Sequence, residues 1–105
     1  MENNFVDNLD DTIELLEKAI SLNPLDYELY NTLGILYRNV GNYDNAIQLH
    51  EQAIQINPKK SDAYNQLANT YGEKGDVEKA IHYYKKALEI TIQYSKSYNN
   101  YQKCI

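Results

Sequence analysis

The chain has 105 residues, a net charge of −5 and a sequence pI of about 4.9, so it forms one domain at most. The acidic balance argues against binding to nucleic acid or to an anionic membrane surface, because both depend on clustered Lys and Arg. The one cysteine, Cys104, cannot form an internal disulfide, and no apolar run approaches the ~20 residues that span a bilayer. We therefore expect a soluble protein of the cytoplasm or the nucleus.

The first predicted helix covers residues 9–22 and follows a polar stretch, residues 1–8, that we expect to be disordered. Apolar residues recur at helical spacing along this helix, with acidic residues between them. These apolar residues are Leu9, Ile13, Leu16 and Ile20. Asn23-Pro24 ends the helix, because the residue before a proline is disfavoured in the α region.

Two helical hairpins follow, over residues 27–60 and 61–94. Key residues of the first return 34 positions later in the second, as Tyr30 returns at Tyr64 (64 − 30 = 34). The other repeated pairs are Asn31/Asn65, Leu33/Leu67, Tyr37/Tyr71, Gly41/Gly75, Ala46/Ala80, Ile47/Ile81, Ala53/Ala87 and Ile56/Ile90. A fixed period in this range is typical of stacked helical hairpins.

The glycines of the first hairpin have two predicted roles. Gly41 ends the first helix, where glycine readily adopts the left-handed conformation. Gly34 instead lies inside that helix, at a cost of about 1 kcal/mol relative to alanine. We expect close helix packing to offset this cost, with Ala46 of the partner helix against Gly34.

The end of the chain allows two interpretations, because no proline follows the last predicted helix of the second hairpin. Either a tight turn near Tyr94-Ser95 starts a further helix over residues 95–105, or one long helix continues to the end. We favour the turn, because Tyr98 falls one repeat length after Tyr64.

The two hairpins resemble the tetratricopeptide repeat, which has an aromatic residue at its fourth position, then Leu-Gly or Leu-Ala, Tyr, and a glycine before the turn. The matching residues are Tyr30, Leu33, Gly34, Tyr37, Gly41, Ala46, His50, Ala53 and Pro58 in the first unit, and Tyr64, Leu67, Ala68, Tyr71, Gly75, Ala80, Tyr84 and Ala87 in the second. The departures are His50, in an aromatic position, and Ile92, in place of proline. The resemblance implies an all-α, right-handed superhelical stack of antiparallel helix hairpins with its repeated tyrosines in the core.

In such a stack, residues 9–26 and 95–105 form half-units at the two ends of a single domain over residues 9–105. Two interpretations of the half-units stay open. They are end caps, which helical repeat proteins need to shield the stack, or they are the cut ends of a longer repeat array.

The resemblance also implies a protein-interaction module whose first helices line a concave groove. The candidate groove residues are Asn31, Thr32, Arg38, Asn65, Gln66, Asn69, Lys96, Asn99 and Asn100. Asparagine is a poor helix former, so its recurrence after the signature tyrosine needs a reason. Contacts with the backbone of an extended peptide would supply one, and so would a shared repeat ancestor; the asparagines would then be solvated helix residues. The expected partner is a protein or peptide. The alternative function is a self-associating structural segment of a larger repeat scaffold.

The sequence contains no pattern typical of catalysis. His50 and His82 fall at different points of the repeat, whereas a metal site needs converging ligands. The isolated glycines do not form a phosphate-binding loop. We therefore expect neither enzyme activity nor a cofactor or metal site.

Overall fold

Five α-helices follow one another in the computed structural model, which describes the backbone of residues 4–104 and the side chains of residues 9–96. The helices are α1 (Asn4–Leu22), α2 (Tyr27–Asn39), α3 (Tyr43–Ile56), α4 (Ser61–Lys74) and α5 (Val77–Cys104). Each helix packs against the next along the chain, and α2 also contacts α4. No strand occurs in the residues described. The predicted all-α stack of helix hairpins is confirmed.

Glycine sets the turn inside each hairpin. Gly41 and Gly75 have φ angles of +85° and +104°, which glycine adopts without strain. At the second turn, the N–H groups of Gly75 and Asp76 both donate to the carbonyl of Tyr71, at 3.0 and 2.8 Å. These bonds pair a carbonyl that the end of α4 would otherwise leave without a partner. The turn of each hairpin is therefore determined by local residues and not by distant contacts.

Small residues dominate the core, so that neighbouring helices approach closely. Ala46, Ala53, Ala63 and Ala68 are fully buried, and Leu67 is 1% exposed. The other buried apolar residues are Leu33, Ile47, Tyr64, Tyr71, Ala80 and Ala87. Because the distance between packed helices depends on the side chains at the contact, the alanines allow the hairpins to stack tightly.

The predicted core tyrosines differ in burial. Tyr64 and Tyr71, on α4, are buried as predicted. Tyr30 and Tyr37, on α2, are half-buried. Tyr84, on α5, remains 43% exposed, so its predicted core role is wrong. The reason is its position: α4 is covered by helices on both sides, whereas the outer side of α5 has no neighbour among the described residues.

Gly34 lies directly against the imidazole ring of His50 on α3. A Cβ atom added to Gly34 would lie 2.6 Å from Cε1 of His50 and 2.9 Å from both of its ring nitrogens. The nearest atoms therefore belong to His50 and not to Ala46, the expected neighbour, because the larger ring of His50 reaches Gly34 first. The ring is itself fully buried, and its Nδ1 lies 2.8 Å from Oδ1 of Asn31.

The last helix is longer than predicted. α5 continues without a break from Val77 to Cys104, so the turn favoured near Tyr94 is wrong and residues 95–104 extend this helix. The reason is local, because neither glycine nor proline occurs after Asp76 to interrupt the helix. At 1.5 Å per residue, α5 is about 42 Å long.

The first helix also differs from the prediction. α1 begins at Asn4, inside the stretch 1–8 that we expected to be disordered. Extending a helix adds one hydrogen bond for each residue fixed, whereas starting one is costly. The backbone of α1 therefore extends beyond the predicted residues 9–22 to Asn4.

Candidate functional site

Two polar bridges join the first helices of the two hairpins. At the start of both helices, the hydroxyl of Tyr27 donates to the two carboxylate oxygens of Asp62, at 3.1 and 2.9 Å. Farther along, Nη1 of Arg38 donates to Oε1 of Gln66 at 2.7 Å, and Nε of Arg38 lies 3.7 Å from Oε2 of Glu73. Burial, followed by the bond to Asp62, raises the pKa of Tyr27 to about 12, so Tyr27 stays a neutral donor. The bridges fix α2 beside α4, and we call the surface that these two helices form the groove.

The structure separates the two recurring asparagines. Asn31 is 8% exposed, and its Oδ1 accepts a hydrogen bond from Nδ1 of His50, so its predicted role as a groove residue is wrong. Asn65, at the same position of the second repeat, is exposed and makes no hydrogen bond to a described residue. The reason for the difference is that another first helix packs beside α2, whereas none among the described residues packs beside α4 on its outer side.

Three further predicted groove residues lie at different depths. Thr32 is exposed. Gln66 and Asn69 are half-buried, and both already accept hydrogen bonds, Gln66 from Arg38 and Asn69 from the hydroxyl of Tyr84. Thr32 and Asn65 are therefore the predicted groove residues on α2 and α4 whose side chains remain free for a ligand.

The predicted groove residues near the end of α5 are less fully described. Lys96 is exposed. Asn99 and Asn100 lie outside the residues whose side chains are described, as does Tyr98. Their predicted contacts stay predictions.

Two adjoining cavities open where α5 passes the start of α4, and we call the pair the basal cleft. The first has a volume of about 480 Å³ and the second about 440 Å³, and they share Lys59, Ile90 and Tyr94. The other lining residues are Pro58, Tyr64, Lys86 and Gln93 in the first cavity, and Tyr27, Glu28, Lys60, Ser61, Asp62 and Thr91 in the second. Because the second cavity reaches the bridge between Tyr27 and Asp62, the basal cleft is continuous with the groove.

The basal cleft combines lysines and apolar surface in its first cavity with two acidic residues, Glu28 and Asp62, in its second. None of its lysines, Lys59, Lys60 and Lys86, forms an ion pair with a described residue. This site was not predicted from the sequence, where its signal was the pair Lys59-Lys60 in an otherwise acidic chain.

Within the described residues, no group of three His, Cys, Asp or Glu side chains could hold a metal ion. Among the same residues, none of the helices has the length and apolar character that crossing a membrane requires.

Comparisons with known proteins agree with the repeat pattern. A sequence profile of the tetratricopeptide repeat matches residues 25–93. No curated protein sequence matches the chain significantly. A crystal structure of MamA superimposes with a TM-score of 0.81 and 35% identity, covering 90% of this chain and 55% of that chain. A structure of MamA MSR-1 superimposes with a TM-score of 0.77 and 27% identity, covering 87% of this chain and 52% of that one. The chain thus spans just over half the length of these neighbours.

Proposed function

The chain belongs to the tetratricopeptide repeat family, and on this premise we propose that it is a protein-interaction module that binds an extended peptide in the groove, with one end of the peptide in the basal cleft. Its structural neighbours, the MamA proteins, support an interaction or scaffold role in general. The observation that carries the finer proposal is the basal cleft, because a concave and partly apolar surface with a few polar groups is typical of a binding site.

The bridges between α2 and α4 favour binding. Tyr27 with Asp62 and Arg38 with Gln66 hold the groove in place before a ligand arrives, so that binding requires little further ordering of the protein. Asn65 offers both a donor and an acceptor in its free amide, which is the pair of groups that a peptide bond needs. The groove therefore suits the backbone of an extended segment rather than a particular side-chain sequence.

The chemistry of the basal cleft specifies one end of the ligand. Lys59 and Lys86 line the first cavity and form no ion pair with a described residue, so a carboxylate there would form charge-assisted hydrogen bonds. Tyr64, Ile90 and Tyr94 provide apolar surface in the same cavity. We infer that the ligand carries an acidic side chain or a C-terminal carboxylate next to an apolar side chain.

Lys59→Glu is expected to weaken peptide binding about ten-fold, or roughly 1.4 kcal/mol. Lys59 belongs to the shared wall of both cavities, so reversing its charge replaces attraction of the ligand carboxylate with repulsion. A peptide array probed with the purified chain would supply the ligand, and calorimetry would measure its affinity. Lys18→Glu, which changes an exposed lysine of α1 in the same way, is the control. Equal affinities for the two variants would place the ligand outside the basal cleft.

Asn65→Ala is expected to weaken binding of the same peptide several-fold, because one neutral hydrogen bond contributes about 0.5–1.5 kcal/mol. Its circular dichroism spectrum should not change, since the Asn65 side chain is exposed and makes no hydrogen bond to a described residue. Asn45→Ala, at an exposed position of α3, is the matched control and should bind like the parent. If Asn65→Ala also binds like the parent, the peptide backbone does not run along α4.

A further inference from the structure

A cavity of about 360 Å³ lies where α1 and α3 flank α2, and we call it the α1–α3 cavity. α2 contributes Tyr30, Leu33 and Tyr37 to its lining, and α1 contributes Glu17 and Ile20; the other lining residues belong to α3. Its volume lies within the range typical of ligand sites. The α1–α3 cavity shares no lining residue with the basal cleft, so the two are separate.

The second hairpin has an equivalent place, and its own side chains occupy it. Each residue that lines the α1–α3 cavity corresponds to a residue one repeat length later, as Tyr37 corresponds to Tyr71 (37 + 34 = 71). The ring of Tyr83 stacks on that of Tyr71, with centroids 5.7 Å apart and an angle of 5° between the planes. Nζ of Lys79 lies 5.2 Å from the centroid of the Tyr71 ring. The ring of Tyr71 therefore contacts both a planar group and a cation.

The first hairpin lacks both of these groups. Leu49 lies at the position of Tyr83, and Asn45 lies at the position of Lys79 (83 − 34 = 49; 79 − 34 = 45). Leu49 and Asn45 both line the α1–α3 cavity. Tyr37 is accordingly half-buried, although its counterpart in the second hairpin is buried. The α1–α3 cavity thus corresponds to the space that a planar group and a cation occupy in the second hairpin.

Glu17 gives the α1–α3 cavity a negative charge. It is the only charged residue in the lining that the structure describes, and it forms no ion pair with a described residue. Its Oε2 accepts a hydrogen bond from the hydroxyl of Tyr37 at 3.2 Å, which holds the carboxylate beside the ring. Burial, followed by this bond, raises the pKa of Tyr37, so the hydroxyl remains a donor. Because a carboxylate accepts about four hydrogen bonds, Glu17 has capacity left for a cationic ligand.

We propose that the α1–α3 cavity binds an arginine side chain of a partner protein. A guanidinium group is planar and always charged, and it both stacks on aromatic rings and pairs with carboxylates. In the cavity it lies on the ring of Tyr37 and donates to Glu17. One arginine therefore supplies the planar group and the cation that Tyr83 and Lys79 supply in the second hairpin. A lysine supplies only the charge, and a phenylalanine supplies only the plane.

The rim of the α1–α3 cavity suits an arginine that is part of a polypeptide. Gln48 and Gln52 of α3 line the cavity and are exposed, and their amides make no hydrogen bond to a described residue. Each amide offers a donor and an acceptor, which a peptide group on either side of the arginine needs. Because the α1–α3 cavity and the basal cleft are separate, this proposal does not rest on the proposed peptide-binding function.

The first test titrates the isotope-labelled full chain with N-acetyl-arginine methylamide and follows the backbone amide shifts by NMR. The shifts of Glu17, Tyr37 and Leu49 should change and saturate in the millimolar range. The citrulline analogue is planar but neutral, and the lysine analogue is charged but not planar, so each should bind at least about three-fold more weakly. Free arginine should bind no more tightly than the blocked compound, because a partner protein presents the side chain without the charges of the free amino acid.

The second test uses variants that locate the binding site. Leu49→Tyr reproduces the arrangement of the second hairpin, so the new ring should fill the cavity and abolish the shift changes. Glu17→Gln keeps the shape of the cavity and removes its charge, and it should weaken binding about three-fold. The control is Glu14→Gln, at another exposed position of α1, which should bind like the parent. Circular dichroism checks that all three variants are folded.

Several results would overturn the proposal. These are the absence of saturable shift changes at the cavity, equal affinities for the arginine compound and either analogue, and unchanged binding by folded Leu49→Tyr or by Glu17→Gln. Tighter binding of free arginine than of the blocked compound would exclude a partner protein as the source of the side chain.

Discussion

Gly34→Leu is expected to unfold the first hairpin or to lower the melting temperature of the chain by more than about 10 °C. Even a Cβ atom would lie 2.6 Å from the ring of His50, and the rest of the leucine side chain has no other place between α2 and α3. The ring has little freedom to move, since it is fully buried and bonded to Asn31. Thermal denaturation followed by circular dichroism measures the effect.

Gly72→Ala is the matched control for this substitution, because Gly72 also lies inside a first helix. Its added Cβ would lie 3.7 Å from Cβ of Ala80, an ordinary contact, so the better helix propensity of alanine should stabilise the chain by up to about 1 kcal/mol. A further check uses His50→Ala. In that background the obstruction is gone, and Gly34→Ala should change from destabilising to stabilising. If Gly34→Leu melts within about 2 °C of the parent, Gly34 and His50 do not meet in solution.

Acidification from pH 6.5 to pH 4 is expected to remove about 3 kcal/mol of stability through His50 alone. Burial, followed by the positive charge of Arg38, lowers the pKa of His50 from 6.5 to about 4. In this pH range the imidazole of His50 takes up a proton in the unfolded chain but not in the folded chain. Protonation of His50 therefore favours unfolding. Its contribution to the free energy of unfolding is complete above pH 6.5 and is lost as the pH falls to 4.

The contacts of the ring explain why it stays neutral. Nδ1 of His50 donates to Oδ1 of Asn31 at 2.8 Å, which leaves Nε2 as the site for a second proton. Nε2 is buried and has no hydrogen-bond partner among the described residues. A proton there would create a buried cation without an acceptor, close to the charge of Arg38.

Urea denaturation at several pH values between 4 and 7 measures this loss. His50→Phe should have a flatter dependence of unfolding free energy on pH, since it removes the titrating group and keeps a ring of similar shape. His82→Gln, which changes the exposed histidine, should keep the slope of the parent. Acidic residues affect parent and variants alike, so the comparison isolates His50. Equal slopes for the parent and His50→Phe would show that another group causes the loss.

Much of the fold could be predicted because its determinants are local or periodic. Gly41 and Gly75 indicate the two turns whatever their tertiary contacts are. The alanine pairs Ala46/Ala80 and Ala53/Ala87 indicate the helix faces that pack against neighbouring helices. These features require only the repeat length and the rules of helix ends. The order of the helices follows from them.

The burial of the Asn31 side chain could not be predicted in the same way. Its repetition at Asn65 suggested one shared role, but burial depends on whether a further hairpin follows, which is a property of the stack and not of the position. The useful signal was His50, in a position where the repeat has an aromatic residue. A buried imidazole needs a hydrogen-bond partner, and Asn31 of the same hairpin is that partner.

The end of the chain was predicted wrongly for another reason. The period placed Tyr98 at the start of a new helix, whereas the residues between Val77 and Cys104 include no glycine or proline. Where a repeat pattern and local helix preference disagree, a turn needs residues that favour it, and these are missing here. The basal cleft was missed for a different reason, since Lys59 and Lys86 are far apart in the sequence and meet only when α5 packs on α4.

The succession of contacts, in which each helix packs mainly on the next along the chain, has a consequence for folding. Contacts between residues close in sequence require only short loops to close, and chains of this kind fold fast. Such a stack also opens from its ends inward, because the loss of α1 removes contacts from α2 but none from α4 or α5. The hairpin boundary between α3 and α4 is then expected to be the last part to lose its structure as the chain unfolds.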